Sequence, residues 1–272
     1  MRKTFLLFFG LLFILSCEDL IELELNDTNE ILVIEAYINW IKERKTSEQE
    51  VRLSLSSPYF KSTYKPANGA IVTIEDEQGL VYKFVEEGVS GRYLSKDTIP
   101  YIINKAFTLK IDYQDQKYIG TEKLMSVSSI NRIEQESVNF FGQERVQLEA
   151  YSVDPPEERN FSYFEFISDS FNAPQYNIYR DDFNNGGEYY GFLLVNDELA
   201  SGDQIRVRQY GLSNFSYNFW YLLIFQNTQQ GGPFQATPVN LIGNMVHESN
   251  PNLNPLGYFR MSEVSEFNYT IK

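Results

Sequence analysis

Residues 107–113 read Phe-Thr-Leu-Lys-Ile-Asp-Tyr, so that large apolar side chains alternate with polar ones. Successive side chains of an extended chain point to opposite faces. The alternation therefore predicts a strand with one face in a core and the other in solvent. Residues 51–56, Val-Arg-Leu-Ser-Leu-Ser, repeat the pattern. Both segments are typical of the mainly β class.

Further strands are predicted on either side of these two. Residues 31–38 form a dense apolar run, as in a strand buried inside a sandwich. Residues 70–75 and 80–85 predict a hairpin, because residues 76–79, Asp-Glu-Gln-Gly, supply turn chemistry between them. Since no helical pattern intervenes, the spacing of these strands predicts an antiparallel β-sandwich over residues 30–127.

The remainder, residues 128–272, predicts a second β-rich unit with one helix. Its strand-like segments are 146–152, 161–169, 175–180, 189–195 and 205–210. Residues 213–229 instead carry apolar side chains at helical spacing, with Ser213 as the N-cap and residues 231–233, Gly-Gly-Pro, as the terminator. The Asn- and Pro-rich segment 238–259 is expected to be irregular, with a final strand at 267–271.

Composition excludes several classes of function. The 272 residues include 37 acidic and 23 basic side chains, a formal net charge of -14. Nucleic-acid binding is therefore not expected, because a phosphate backbone would be repelled. The single cysteine, Cys17, and the single histidine, His247, exclude an internal disulfide and a Cys/His zinc site. We predict no catalytic residue, no metal site and no cofactor, and we expect the protein not to be an enzyme.

The first seventeen residues resemble the signal peptide of a bacterial lipoprotein. Arg2 and Lys3 precede an apolar run over residues 5–15. This run is shorter than the roughly 20 residues that a spanning helix needs. It leads into a match to the lipobox, which consists of Ile14, Leu15, Ser16 and Cys17. The resemblance implies that residues 1–16 are removed and that Cys17 becomes the lipidated first residue.

Residues 17–29 are predicted to form an acidic tether. Two or three acyl chains on Cys17 would give a lasting membrane anchor. At roughly 3.3 Å per residue, the tether keeps the folded part within about 45 Å of the bilayer. Its acidic start resembles the surface-export signals of Bacteroidota lipoproteins, and a solvated tether that contains an edge strand explains it equally well. We expect a lipid-anchored outer-membrane protein exposed at the cell surface.

Four tyrosines flank the polar segment 181–188 and are the candidate binding residues. They are Tyr176, Tyr179, Tyr189 and Tyr190. Tyrosine is favoured both where sugars or proteins are recognised and in ordinary strands, so both interpretations stay open. The segment itself is rich in oxygen ligands but lacks the spacing of a calcium loop, and it is predicted to be a solvated turn.

Six stretches carry a resemblance to a known family: residues 17–25, 31–38, 51–54 leading to 57–60, 68–74, 237–244 and 256–259. Together they resemble the Bacteroidota lipoproteins known as domain of unknown function 4249. The resemblance implies an outer-membrane lipoprotein whose N-terminal domain is Ig-like or carboxypeptidase-regulatory-like. It implies no catalytic residues. Genes of this family typically lie beside those of TonB-dependent transporters, which implies an accessory role in nutrient uptake and a TonB-dependent outer-membrane receptor as the partner.

Three functions compete at this point. The favoured one is a non-catalytic lipoprotein that docks on a TonB-dependent transporter and helps it to capture or gate a substrate. The first alternative is a free-standing surface protein that binds a glycan or a peptide through the tyrosines. The second is a carboxylate-dependent hydrolase, which needs two facing acidic residues in a cleft; no such pair stands out in the sequence.

Overall fold

The computed structural model describes residues 30–57, 64–156, 159–182, 186–195, 199–228 and 241–272. The predicted signal peptide, the lipobox with Cys17, the tether and the helix terminator at 231–233 lie outside the described residues. Sixteen strands are described: β1 (Leu32–Ile41), β2 (Thr46–Leu55), β3 (Lys65–Pro66), β4 (Ile71–Asp76), β5 (Val81–Glu86), β6 (Arg92–Ser95), β7 (Ala106–Tyr113), β8 (Gln116–Lys123), β9 (Ile130–Phe140), β10 (Gln143–Val153), β11 (Phe161–Ile167), β12 (Gln175–Arg180), β13 (Glu188–Val195), β14 (Gln204–Gly211), β15 (Met245–His247) and β16 (Leu256–Thr270). One α-helix, α1 (Asn214–Thr228), and a short 3-10 helix (Pro251–Leu253) accompany them. The predicted mainly β class with one helix is confirmed.

Strands β1 to β8 form a curved sheet in the order β1-β2-β6-β5-β4-β7-β8, with β3 beside β2. Alternate residues of each strand point to a shared interior. Ile34 of β1 and Leu53 of β2 belong to the same buried cluster as Leu109 and Ile111 of β7. The sheet therefore folds over a single first core, with strands on opposite sides of it, as in a sandwich.

The predicted hairpin between β4 and β5 is confirmed, and Asp76 organises its turn. One carboxylate oxygen accepts hydrogen bonds from the backbone N–H groups of Gln78 at 2.9 Å and Leu80 at 3.0 Å. The other oxygen accepts from the Nζ of Lys105 at 2.9 Å. Chiefly the bond to Lys105, together with the two backbone bonds, lowers the pKa of Asp76 below its usual value. The turn is thus stabilised by an ionised carboxylate.

This arrangement predicts a stability that depends on pH. A carboxylate whose pKa is lowered by folding contributes stability above the unfolded pKa of about 3.9, and loses it as pH falls through the folded value. We expect Asp76→Asn to lower the urea midpoint at pH 7, and the difference from the parent protein to shrink as pH falls below about 4. Urea titrations at pH 7 and pH 3 measure this. A difference of equal size at both pH values would contradict it.

Strand β16 connects the two halves of the molecule. Its first part, residues 256–264, pairs in parallel with β1, and residues 264–270 pair antiparallel with β14. The side chain of Asn244 bonds both backbone groups of Phe259, with its amide donating to the carbonyl at 2.7 Å and its oxygen accepting from the N–H at 2.8 Å. Division of the chain at residue 127 stays a prediction, since β16 takes part in the pairing of both units.

The expectation of an irregular segment over 238–259 is wrong for part of it. Residues 245–247 form β15, which pairs with β8, and β16 begins at Leu256 instead of 267. The physical reason is burial on both faces. Residues 258–265 are buried without interruption, so the strand shows none of the apolar–polar alternation that a half-exposed strand carries.

A second core lies between two sheets on the far side of β16. Strands β14, β11 and β12 extend the large sheet, while β9, β10 and β13 form a separate three-stranded sheet. The two pack face to face through a buried cluster that includes Leu148, Phe164, Phe166, Tyr189 and Val207. This unit is the second β-rich region that the sequence predicts.

The helix predicted at 213–229 is confirmed as α1. Ser213 caps it as expected, because its hydroxyl accepts from the N–H of Ser216 at 3.1 Å. Phe219 and Trp220 bury its inner side in a third apolar cluster with residues of β11 and β16. Within the ranges that the structure covers, no helix is both long and apolar enough to cross a membrane.

Candidate binding cleft

A cleft of about 640 Å³ lies on the face of the large sheet that is turned away from the first core. Since Ile34 and Ile38 of β1 point into that core, Glu35, Tyr37 and Asn39 point the other way, into the cleft. Strands β2 and β6 continue this side, β11, β12 and β14 form the other, and β16 runs between them. The buried or mostly buried floor consists of Tyr37, Asn39, Tyr163, Tyr210, Trp220 and Arg260.

Arg260 occupies the centre of this floor. Its neighbours in β16, Phe259 and Met261, both face the first core, so the arginine side chain points to the opposite face. Only 2% of the residue is exposed. Four aromatic rings surround the guanidinium, whose carbon lies 4.4 to 5.4 Å from their centroids; they belong to Tyr210, Tyr37, Tyr163 and Trp220. Cation–π attraction to these rings offsets part of the cost of burying the charge.

The hydrogen bonds of Arg260 are incomplete. One terminal nitrogen donates to the hydroxyl of Tyr163, and the other donates to Oδ1 of Asn39 at 3.0 Å. The Nε–H is buried and has no acceptor. Among the described residues, no carboxylate forms an ion pair with this guanidinium. The floor of the cleft therefore holds a buried cation without a paired anion.

The other arginines that line the cleft, unlike Arg260, form ion pairs with carboxylates. Arg52 pairs with Glu50, and the Nε of Arg92 lies 2.9 Å from the same carboxylate. Arg208 pairs with two carboxylates, at 2.9 and 2.8 Å, which belong to Glu48 and Glu266. Because these charges are already compensated, the uncompensated positive charge of the cleft is concentrated at Arg260.

The strands that build this cleft lie within a single family match. The family described as Domain of unknown function (DUF4249) matches residues 18–268. The chain belongs to the DUF4249 family. The match begins directly after the predicted lipidation site at Cys17 and includes every residue that lines the cleft.

No curated protein matches this DUF4249 chain. Eleven chains of solved structures show similarity to it. One is a segment of two fibronectin type III domains from chicken tenascin, which is 14% identical, covers 61% of this chain and is itself covered over 86% of its length. Its TM-score is 0.22, which is too low to support an inference about this chain.

The tyrosines of the DUF4249 cleft remain protonated over a wide pH range. Burial, as the largest cause, raises the pKa of Tyr37 and Tyr163 well above the usual value for a tyrosine. For Tyr176, burial and the nearby charge of Glu165 raise the pKa to about 12. The hydroxyl of Tyr210 donates to the Glu165 carboxylate at 2.5 Å. These hydroxyls are therefore neutral at physiological pH, and those of Tyr163 and Tyr210 already bond Arg260 and Glu165.

The four tyrosines singled out in the sequence do not form one surface. Tyr176 lines the cleft, 6.2 Å from the ring of Tyr163. Tyr179 stacks on the buried Tyr189 with their ring centroids 3.9 Å apart, while Tyr190 packs on another tyrosine on the opposite face of β13. Adjacent strand residues point to opposite faces, which separates the last two. A role in binding stays a prediction for all four.

Sequence reasoning missed the centre of the cleft. Arg260 stands between Phe259 and Met261, and a charged residue inside such an apolar stretch is the signal that could have pointed to a buried charge. Tyr163 and Tyr210 gave no separate signal, because tyrosine is common in strands. The described residues contain no cluster of three His, Cys, Asp or Glu side chains that could hold a metal ion.

Proposed function

We propose that this DUF4249 protein is a non-catalytic, lipid-anchored outer-membrane protein that serves as an accessory subunit of a TonB-dependent transporter. Its role is to hold a ligand of that transporter in the cleft. The observation that carries the proposal is the cleft itself, a concave site of about 640 Å³ whose floor combines aromatic rings with the unpaired cation of Arg260. Four glutamates and four arginines line the cleft beside the aromatic rings, which favours a polar ligand over an apolar one.

The anchor supports a role at the membrane. Lipidation at Cys17 and the short tether would keep Ile31, where the folded part begins, within about 45 Å of the bilayer, where transporters receive their substrates. The acidic character of the chain gives no electrostatic attraction to an anionic surface, so the lipid is what would hold it there.

An exposed aromatic tip supports a protein partner. The hairpin of β9 and β10 ends in Phe140 and Phe141, and Phe141 is 93% exposed. Its φ of 50° lies in the left-handed region, which a bulky aromatic residue rarely adopts. A strained, solvent-exposed phenylalanine adds little to the stability of the fold, whereas aromatic side chains are frequent anchors at protein interfaces.

The same cleft also supports the first alternative, a free-standing surface protein that binds a glycan or peptide, since that role needs no partner. The hydrolase alternative has less support. Of the four glutamates that line the cleft, Glu48 and Glu50 are held in ion pairs with arginines and Glu165 accepts a hydrogen bond from Tyr210, so Glu35 is left without a carboxylate partner of the same kind. A retaining or inverting pair requires two carboxyl groups that are free to exchange protons with a substrate.

A crosslinked pull-down from native outer membranes separates the favoured function from the free-standing binder. The tagged parent protein is expected to recover one TonB-dependent transporter in near-equal amount, and Cys17→Ala, which lacks the anchor, is expected to lose it. Phe141→Asn, which suits the left-handed turn, should fold normally but recover less transporter. Recovery of the membrane-bound lipoprotein alone would contradict the accessory role and favour a free-standing binder.

A further inference from the structure

We infer that the Arg260 cleft binds the carboxylate of a uronic acid within an acidic oligosaccharide. The inference rests on the proposed function and names the ligand class of the same site. A guanidinium carries five N–H donors. In Arg260 two of its three nitrogens have acceptors, Tyr163 and Asn39, while the Nε–H has none. A ligand carboxylate is the group that best satisfies an arginine with donors to spare.

The charges around the cleft favour a singly charged anion over a phosphate. Glu35 and Glu165 line the same cleft as Arg260, and neither forms an ion pair within the described residues. A dianionic phosphate would meet these two carboxylates as well as the arginine, and like charges in a partly enclosed site repel strongly. A monovalent carboxylate meets the same two carboxylates with a smaller charge than a phosphate, and it pairs with the one guanidinium of the floor that has no ion-pair partner among the described residues.

The aromatic residues favour a sugar as the bearer of that carboxylate. Tyr176 stands at the rim with 42% of its surface exposed, while Tyr163 and Trp220 stack deeper in the cleft at 5.0 Å between ring centroids. The exposed ring of Tyr176 can pack against the apolar face of a hexose, while the other two rings are buried. Asn39 beside them is a planar polar side chain that can hydrogen-bond hydroxyl groups.

A peptide fits the cleft less well. The cleft lies on a sheet face, and the backbone groups of β1, β2, β11, β14 and β16 are paired with neighbouring strands on both sides. Extended peptides are commonly held by adding a strand to a free sheet edge. Among the described strands that line the cleft, only β12 at the rim ends the sheet, and the strands of the floor offer no free edge. The side chains that face the cleft therefore have to supply the contacts, as in a glycan site.

The test uses isothermal titration calorimetry on the purified, lipidated full-length protein in detergent. The probes are trigalacturonate, triglucuronate and trimannuronate, each paired with its methyl ester, which keeps the rings and removes the charge. At least one acid is expected to bind, with its ester at least tenfold weaker, since the charge-assisted hydrogen bonds to Arg260 are lost. Equal binding of acid and ester, or no binding of any acid, would overturn the inference.

Two matched variants separate the cleft from the rest of the surface. Tyr176→Ala should weaken binding about fivefold, and Tyr190→Ala should leave it unchanged, although both tyrosines are 42% exposed in the same unit. Arg260→Lys, checked for folding by circular dichroism, should lose most of the preference for acid over ester, because an ammonium group lacks the bidentate fork. Equal effects of the two tyrosine variants on the affinity would contradict the assignment of the cleft as the binding site.

A peptide arm decides between the two ligand classes. Triglutamate and its amide serve as probes under the same conditions. Tight binding of triglutamate with none of the uronates would overturn the glycan assignment. Because these titrations involve no transporter, their failure leaves the accessory role intact, and a failed pull-down likewise leaves the ligand class intact.

Discussion

Replacement of Gly257 by alanine is expected to lower the free energy of unfolding by about 3 kcal/mol or more. Two causes act together. The φ of Gly257 is +95°, a conformation that residues with a side chain rarely adopt. A Cβ at this position would also overlap the carbonyl oxygen of Ile34, its register partner on β1. The substitution would therefore force β16 away from β1 at the point where their pairing begins.

Gly79→Ala is the matched control for this substitution. Gly79 has a similar positive φ of +79°, but a Cβ there would meet no atom within 4 Å. We expect it to cost only about 1 kcal/mol, which is the conformational part alone. Urea unfolding followed by tryptophan fluorescence measures both. Equal losses in the two variants would show that the close approach of β16 to β1 adds nothing to the cost.

Phe164→Ala is expected to destabilise the second core by about 3 to 5 kcal/mol. Phe164 is fully buried, and its ring occupies the space directly above Gly191 of β13. Removal of the ring leaves a cavity between the two packed sheets that the backbone cannot readily fill. The neighbouring Phe192, which is 48% exposed, provides the control, and Phe192→Ala should change the free energy of unfolding by about 0.5 kcal/mol or less.

The same contact predicts a coupling between two residues. Gly191→Ala alone should cost about 1 to 3 kcal/mol, because its Cβ would overlap the ring of Phe164. In the Phe164→Ala background the added methyl group enters the cavity. Gly191→Ala should therefore lower the free energy of unfolding less in that background than in the parent protein. A double-mutant cycle from urea unfolding measures the difference. Strict additivity would contradict direct contact between the two positions.

The sequence predicted the strands that have one face in a core and one in solvent. In β1, β2, β4, β5 and β7 the apolar residues recur at every second position. The hairpin turn at Asp76 is predicted from its residue types, Asp-Glu-Gln-Gly. Strand β8 was not predicted, because one of its buried positions is Gly120. Met245 occupies the space that a side chain at this position would fill. No local pattern reveals a glycine of that kind as a core position.

The candidate binding cleft was beyond prediction for a different reason. Its floor brings together Tyr37, Tyr163, Tyr210 and Arg260 from four strands, and β1 meets β16 across more than 200 residues of sequence. Such pairing is decided by the complementarity of whole surfaces, which no short window records. The four candidate tyrosines came from a local clustering in sequence, and alternate orientation along the strands distributes them over different faces.

The shared strand β16 sets an order of assembly. β1 is synthesised early, yet its parallel partner comes more than 200 residues later, so the edge of β1 has no partner until the rest of the fold is made. Contacts so distant in sequence close slowly, and an unpaired edge invites wrong pairing meanwhile. The amino-terminal sheet is thus synthesised first but completed last. Because β16 pairs with both β1 and β14, this one late strand completes both halves of the molecule.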